Sequence, residues 1–162
     1  MEMHREKEFK SRFSVITCSS SRTEENDESG RIIKELINGT KHSVVNYAVV
    51  KDDKKSIVEK AKYFLTSSDA LVISGGTGLT KNDVTIEAIS SISEFEITAF
   101  STIFSLLSYE EIGTSAIMSR SSAFVVDRKP VFCLPGSPKA AELGVKKIVL
   151  EQIDHIHHEL NR

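Results

Sequence analysis

Apolar positions along the chain fall into two rhythms that take turns. Short runs rich in β-branched residues, Phe13–Cys18 (FSVITC), Ser43–Val50 (SVVNYAVV) and Ala70–Ile73 (ALVI), read as strands. Ala123–Val126 and Val131–Leu134 read the same way, joined through DRKP by a tight turn. Between them the spacing becomes helical: Ile32, Ile33, Leu36 and Ile37; then Ile57, Val58, Ala61, Phe64 and Leu65. Phe100, Ile103, Phe104 and Leu107 form a third such set, ending near Ser108–Tyr109, and Ala141, Val145, Ile148, Val149, Ile153 and Ile156 a long last one. Local signals refine the boundaries. Ser29 is placed to cap the first helix, and Asn38-Gly39 to close it as an αL-tolerant pair. Asp83–Ser90 can start a helix, Ile112–Met118 can form another short one, and EFEIT (94–98) is ambiguous.

Strands alternating with helices imply a three-layer α/β/α domain around a mostly parallel central sheet. The uninterrupted run at Ala70–Ile73 fits a strand buried on both faces. In such sheets ligands sit beyond the carboxyl ends of the strands. Four loops are expected there: Ser19–Asp27, Lys51–Asp53, Gly75–Asp83 and Pro135–Pro138. Residues 1–11 read as a flexible charged arm, and 12–162 as one domain.

Composition removes several function classes. A 40% hydrophobic and 27% charged chain fits neither disorder nor a fibrous class, and a formal charge of −2 gives no basic footprint for nucleic acid. No apolar stretch approaches the roughly 18 residues of a membrane span. Two cysteines, Cys18 and Cys133, make no disulfide framework. With no apolar signal core at the start, the expected location is cytoplasmic.

The candidate chemistry lies in the loops. Gly75, Gly76 and Gly78 with Thr77 (SGGTG) either cradle an anion with backbone N–H groups or make a plain strand-to-helix turn. The run matches neither GxGxxG nor the longer phosphate loop. Asp83 reads as an N-cap or as a hard oxygen ligand for Mg²⁺, with Asp52 a possible partner from the turn after an earlier strand. Ser137 can cap the last helix, with Pro138 at its first position, while that terminus also suits an anion. Ser19, Ser20, Ser21 and Arg22 offer hydroxyls and a guanidinium fork suited to phosphate, or a solvated loop. His155, His157 and His158 lack structural-zinc spacing and read as a frayed helix end.

Three linked segments, SGGTGLTKNDVTIEA (74–88), LLSYEEIGTSAIMSR (106–120) and VFCLPGSPKA (131–140), resemble the MoaB/Mog family of molybdenum cofactor biosynthesis proteins. The resemblance spans residues 12 to about 155 and implies a molybdopterin-binding fold that assembles as a homotrimer or homohexamer. It implies a role in molybdenum cofactor biosynthesis, with binding of molybdopterin and its adenylylation by Mg-ATP. By the same resemblance, Gly75, Gly76, Thr77 and Gly78 fall on a ligand loop, and Asp83 and Asp52 on catalytic, Mg²⁺-binding positions. Thr85, Ser115, Arg120, Pro135, Gly136 and Ser137, with Ser19, Ser21 and Arg22, fall on substrate-binding segments.

The chain also departs from the family pattern. Ser20 stands where an aspartate is usual, Lys81 where arginine is common, and Ala99, Ser101, Thr102 and Ser105 replace glycine, glycine, glutamate and arginine. These last changes imply the alternative of a non-catalytic molybdopterin-binding or scaffold protein in the same pathway.

Overall fold

The computed structural model describes residues 9–162. Five strands appear where the apolar runs predict them: β1 (Arg12–Cys18), β2 (Ser43–Val50), β3 (Ala70–Ser74), β5 (Ser122–Val126) and β6 (Lys129–Leu134). A two-residue strand, β4 (Phe95–Glu96), resolves the ambiguous EFEIT stretch. The sheet order is β2-β1-β3-β6-β5-β4. β2, β1, β3 and β6 run parallel, whereas β5 is antiparallel to both neighbours.

Side-chain alternation explains the layers. Phe13, Val15, Val72, Phe132 and Leu134 face one core with Ile33, Ile37, Phe100, Phe104 and Ala141. The intervening residues Ile16, Cys18, Leu71, Ile73, Val131 and Cys133 face the other, with Ile57, Ala61, Phe64 and Ile89. Each central strand thus buries both faces, which a parallel sheet between two helical layers requires. One layer holds α1 (Glu28–Asn38), α4 (Thr98–Ile112), α5 (Pro138–Gly144) and α6 (Leu150–Leu160); the other holds α2 (Lys54–Leu65) and α3 (Thr85–Ser90).

Several local expectations are corrected. Asp27, not Ser29, caps α1, accepting from the Gly30 amide at 3.1 Å. Gly39 ends that helix in a right-handed conformation, φ −74°, and not in αL. Asp83 does not cap α3, which begins at Thr85. α4 continues to Ile112, past Tyr109, and a 3₁₀ segment then covers Gly113–Met118. The β5–β6 turn is only Asp127-Arg128, both at positive φ (48° and 60°), as a twisted two-residue hairpin needs. The last helical stretch is not continuous α: Val145–Val149 forms a π segment between α5 and α6.

The start of the chain divides. Residues 1–8 lie outside the described residues, but 9–11 are not a loose arm. Ser11 is buried, its amide donates to His42 Nδ1 at 3.0 Å, and Phe9 stacks on His157 with centroids 3.7 Å apart. No described helix is long and apolar enough to cross a membrane.

Candidate functional site

Because β1, β2, β3 and β6 are parallel, their last residues, Cys18, Val50, Ser74 and Leu134, come to one rim. The connections leaving that rim enclose a cavity of about 460 Å³. It is lined by Cys18, Ser19, Ser20, Ser21, Arg22, Asp52, Gly75, Gly76, Thr77, Gly78, Asp83, Met118, Ser119, Pro135 and Gly136. The four loops expected from sequence do converge.

The glycine turn explains the choice of residue. Gly75 (φ +92°) and Gly76 (φ +71°) lie in the left-handed region. A Cβ on Gly75 would stand 2.3 Å from the Cys18 carbonyl oxygen, and one on Gly76 2.1 Å from Thr85 Oγ1. The turn is fixed on both sides: the Gly75 amide donates to Leu134 O at 2.9 Å, and Thr85 Oγ1 donates to Gly75 O at 2.8 Å. The Thr85 amide donates to Gly76 O at 3.0 Å.

Asp83 closes the following turn. Its Oδ2 accepts from the Thr80 amide (3.0 Å) and hydroxyl (2.7 Å). Burial pushes the carboxyl upward, but the bonds from Thr80 and Gly78 and the charge of Arg120 outweigh it, so it lies below the usual aspartate range. Asp52, at the tip of the β2–α2 turn, has its Oδ2 engaged by Ser20 Oγ at 3.0 Å. Its neighbour Asp53 caps α2 through the Ser56 amide at 2.9 Å. Arg22 reaches across the rim, donating from Nη1 to Gly136 O at 3.1 Å, where Ser29 Oγ also donates at 2.6 Å. Ser19 Oγ accepts from the Arg22 amide at 3.0 Å and folds the first loop on itself.

Four of the expected site residues do not line the cavity. Thr85 is fully buried beneath the glycine turn. Arg120 donates to Gly78 O (2.9 Å), Asp83 O (3.1 Å) and the Glu87 carboxylate, so its fork braces the loop from behind. Ser115 lies exposed on the 3₁₀ segment. Ser137 caps α5, its Oγ accepting from the Ala140 amide at 3.3 Å. Conversely, Cys18, Met118 and Ser119 join the wall without having been among the sequence candidates, and Ser29 works as a support for Gly136 and not as a cap. Ser20, read from the sequence as one of the hydroxyls of the Ser19–Arg22 run, lines the wall with its three neighbours. Cys18 is almost closed to solvent: burial pushes its thiol up to about 12, against a hydrogen bond with Thr85.

The family profile described as "Probable molybdopterin binding domain" matches residues 14–155. The chain belongs to the MoaB/Mog family of molybdenum cofactor biosynthesis proteins. It is 44% identical over 154 residues to molybdenum cofactor biosynthesis protein B of Bacillus cereus, covering 93% of this chain and 91% of that protein. A crystal structure of a molybdenum cofactor biosynthesis protein B superposes with a TM-score of 0.90 at 43% identity, covering 95% of this chain and 98% of the other. The tungsten cofactor synthesizing protein MoaB of Pyrococcus furiosus gives a TM-score of 0.85 at 31% identity, over 94% and 98%. The mixed three-layer fold is therefore that of the MoaB/Mog family.

Proposed function

We propose that this member of the MoaB/Mog family binds molybdopterin and ATP at the rim cavity and transfers an adenylyl group to the pterin. A terminal phosphate oxygen of molybdopterin attacks the α-phosphorus of ATP, the bond to the β-phosphate bridging oxygen breaks, and pyrophosphate leaves. The observation that carries this reading is the pairing of two carboxylates, Asp52 and Asp83, with small-residue turns around one cavity.

The donor set fits Mg²⁺. Asp52 and Asp83 each have Oδ2 engaged by a neighbouring hydroxyl, and no protein hydrogen bond is described to Asp52 Oδ1. No cluster of three or more His, Cys, Asp or Glu able to hold a metal exists among the described residues. Two hard oxygens suit an ion that keeps several waters and bridges to phosphate, and suit thiophilic metals poorly. Mg²⁺, when bound, offsets triphosphate charge and eases departure of pyrophosphate.

The remaining work falls to the chain itself. The amides of Gly76, Thr77 and Gly136, for which no protein acceptor is described, supply phosphate donors at no cost in reorganisation. Arg22 adds positive charge at the same rim. Positioning of the two phosphates for in-line attack supplies the rate, and no covalent enzyme intermediate is needed.

We also propose self-assembly as a homotrimer or homohexamer. Leu106, Tyr109, Ile112, Ile117 and Met118 support it, each at least 56% exposed along α4 and the 3₁₀ segment beside the cavity. A second reading, binding without turnover, is favoured by the adjoining groove of about 690 Å³, whose lining residues include Ser101, Thr102, Ser105, Leu106 and Tyr109 but no charged side chain. Incubation with molybdopterin, Mg²⁺ and ATP, followed by chromatography, separates the two. Adenylylated pterin above a no-protein control supports the transferase; tight pterin binding without product supports the second reading. Failure to bind pterin at all overturns both.

A further inference from the structure

Asp52 sits half-buried at the tip of a short turn between two exposed neighbours, where an aspartate would ordinarily sample several rotamers. Its orientation is nevertheless fixed from outside its own turn. Ser20 Oγ donates its single proton to Asp52 Oδ2 at 3.0 Å and accepts from the Asp52 amide at 3.3 Å. The two residues are 32 apart in sequence. Their reciprocal pair joins the turn after β1 to the turn after β2, next to the ladder-like bond from the Ser19 amide to Val50 O at 2.8 Å. With its proton committed, the Ser20 hydroxyl has none to offer a ligand, although the residue lines the cavity.

We propose that Ser20 is a positioning residue: it holds the Asp52 carboxylate so that Oδ1 remains free for a divalent cation bound with nucleotide. The inference rests on the Mg-ATP reading above. Its physical content is preorganisation. An aspartate at a turn that must be ordered at the moment of binding loses side-chain freedom, and that loss subtracts from affinity. A hydroxyl bound to one carboxylate oxygen limits rotation of the group and leaves its other oxygen unengaged.

The test measures binding, independent of turnover. Mn²⁺ serves as the probe, with free ion followed by electron paramagnetic resonance in the presence of ATP. Wild type, Ser20→Ala, Ser20→Thr, Asp52→Asn and the Ser20→Ala/Asp52→Asn double variant are compared at equal folded fraction. Ser20→Ala is expected to weaken ATP-dependent Mn²⁺ uptake roughly five- to tenfold, the scale of one hydrogen bond to a charged group at a partly solvated site. Ser20→Thr keeps the hydroxyl and is expected to stay near wild type. In the Asp52→Asn background, Ser20→Ala is expected to add almost nothing, because the two act through one carboxylate. Unchanged uptake in Ser20→Ala, or an equal further loss in the Asp52→Asn background, overturns the proposal while leaving the nucleotide reading intact. Absence of ATP-dependent Mn²⁺ uptake by wild type removes that reading, and this proposal with it.

Discussion

Replacing Thr85 by valine tests how the glycine turn is held. Thr85 is fully buried, and its Oγ1 donates to the Gly75 carbonyl at 2.8 Å. Gly75 is itself buried and held at φ +92°, and no other partner for its carbonyl is described. Valine keeps the side-chain shape, so no cavity opens; what disappears is the hydroxyl, which leaves the buried Gly75 carbonyl unpaired and removes the weak bond to the Cys18 thiol. Such a loss costs about 1–3 kcal/mol. For a domain of this size each kcal/mol lowers Tm by roughly 2–4 °C. Urea denaturation of wild type and Thr85→Val, with the slope of the transition compared to confirm an unchanged unfolding reaction, reads the difference directly. The affinity for ATP should fall in parallel, because the same bond sets the direction of the Gly75–Gly76 peptide. A destabilisation below about 0.5 kcal/mol, within the range of an ordinary surface substitution, would refute the claim that this hydroxyl secures the turn.

Three further outcomes follow from the same contacts. At the opposite rim, burial raises the Asp69 carboxyl, but the Arg12 fork and amide together hold it below the usual aspartate range. Its stabilisation is therefore present above the ordinary aspartate pKa and lost as pH falls through that range toward the native value; Asp69→Asn should lower stability at neutral pH and narrow the gap from wild type in acid, measured by urea unfolding across pH. Cys18 and Cys133 are buried thiols with raised pKa values, so native protein should resist iodoacetamide at pH 8 while unfolded protein reacts at both; rapid labelling of either in the native state, read by mass spectrometry, would contradict the packing. Leu106→Arg or Ile117→Arg should reduce the assembled mass in light scattering if the exposed apolar row joins copies, whereas an unchanged mass would exclude that row as the interface.

What the sequence could and could not convey divides along the range of the interactions. The strands were legible because burial on both faces leaves runs such as Ala70–Ile73 uniformly apolar. Convergence of the four loops then followed from parallel topology. Helix limits depended on competitors for the same role: Asp27 and Ser29 are both capping residues, and the packing of Asp27 against the Tyr47 hydroxyl, at 2.5 Å, goes with the former. Asp83 looked like a cap because it precedes helical spacing, yet Thr80 three residues earlier captures its carboxylate. The π segment at Val145–Val149 was hidden, since apolar spacing cannot separate α from π over five residues. The brace from Arg120 to Gly78 and the Ser20–Asp52 pair span 42 and 32 residues, distances at which pattern carries no information. β4 is similar, because two residues become a strand only by meeting Val125 and Phe124.

The most direct test of the central claim, that one strand-end cavity holds the phosphates of a nucleotide against amides and two carboxylates, is a crystal structure grown with Mg²⁺ and a non-hydrolysable ATP analogue. The account predicts phosphate density touching the Gly75–Gly78 turn, with a cation shared between phosphate oxygens and Asp83 or Asp52. An ordered analogue seated elsewhere on the molecule, with this rim empty, would contradict it.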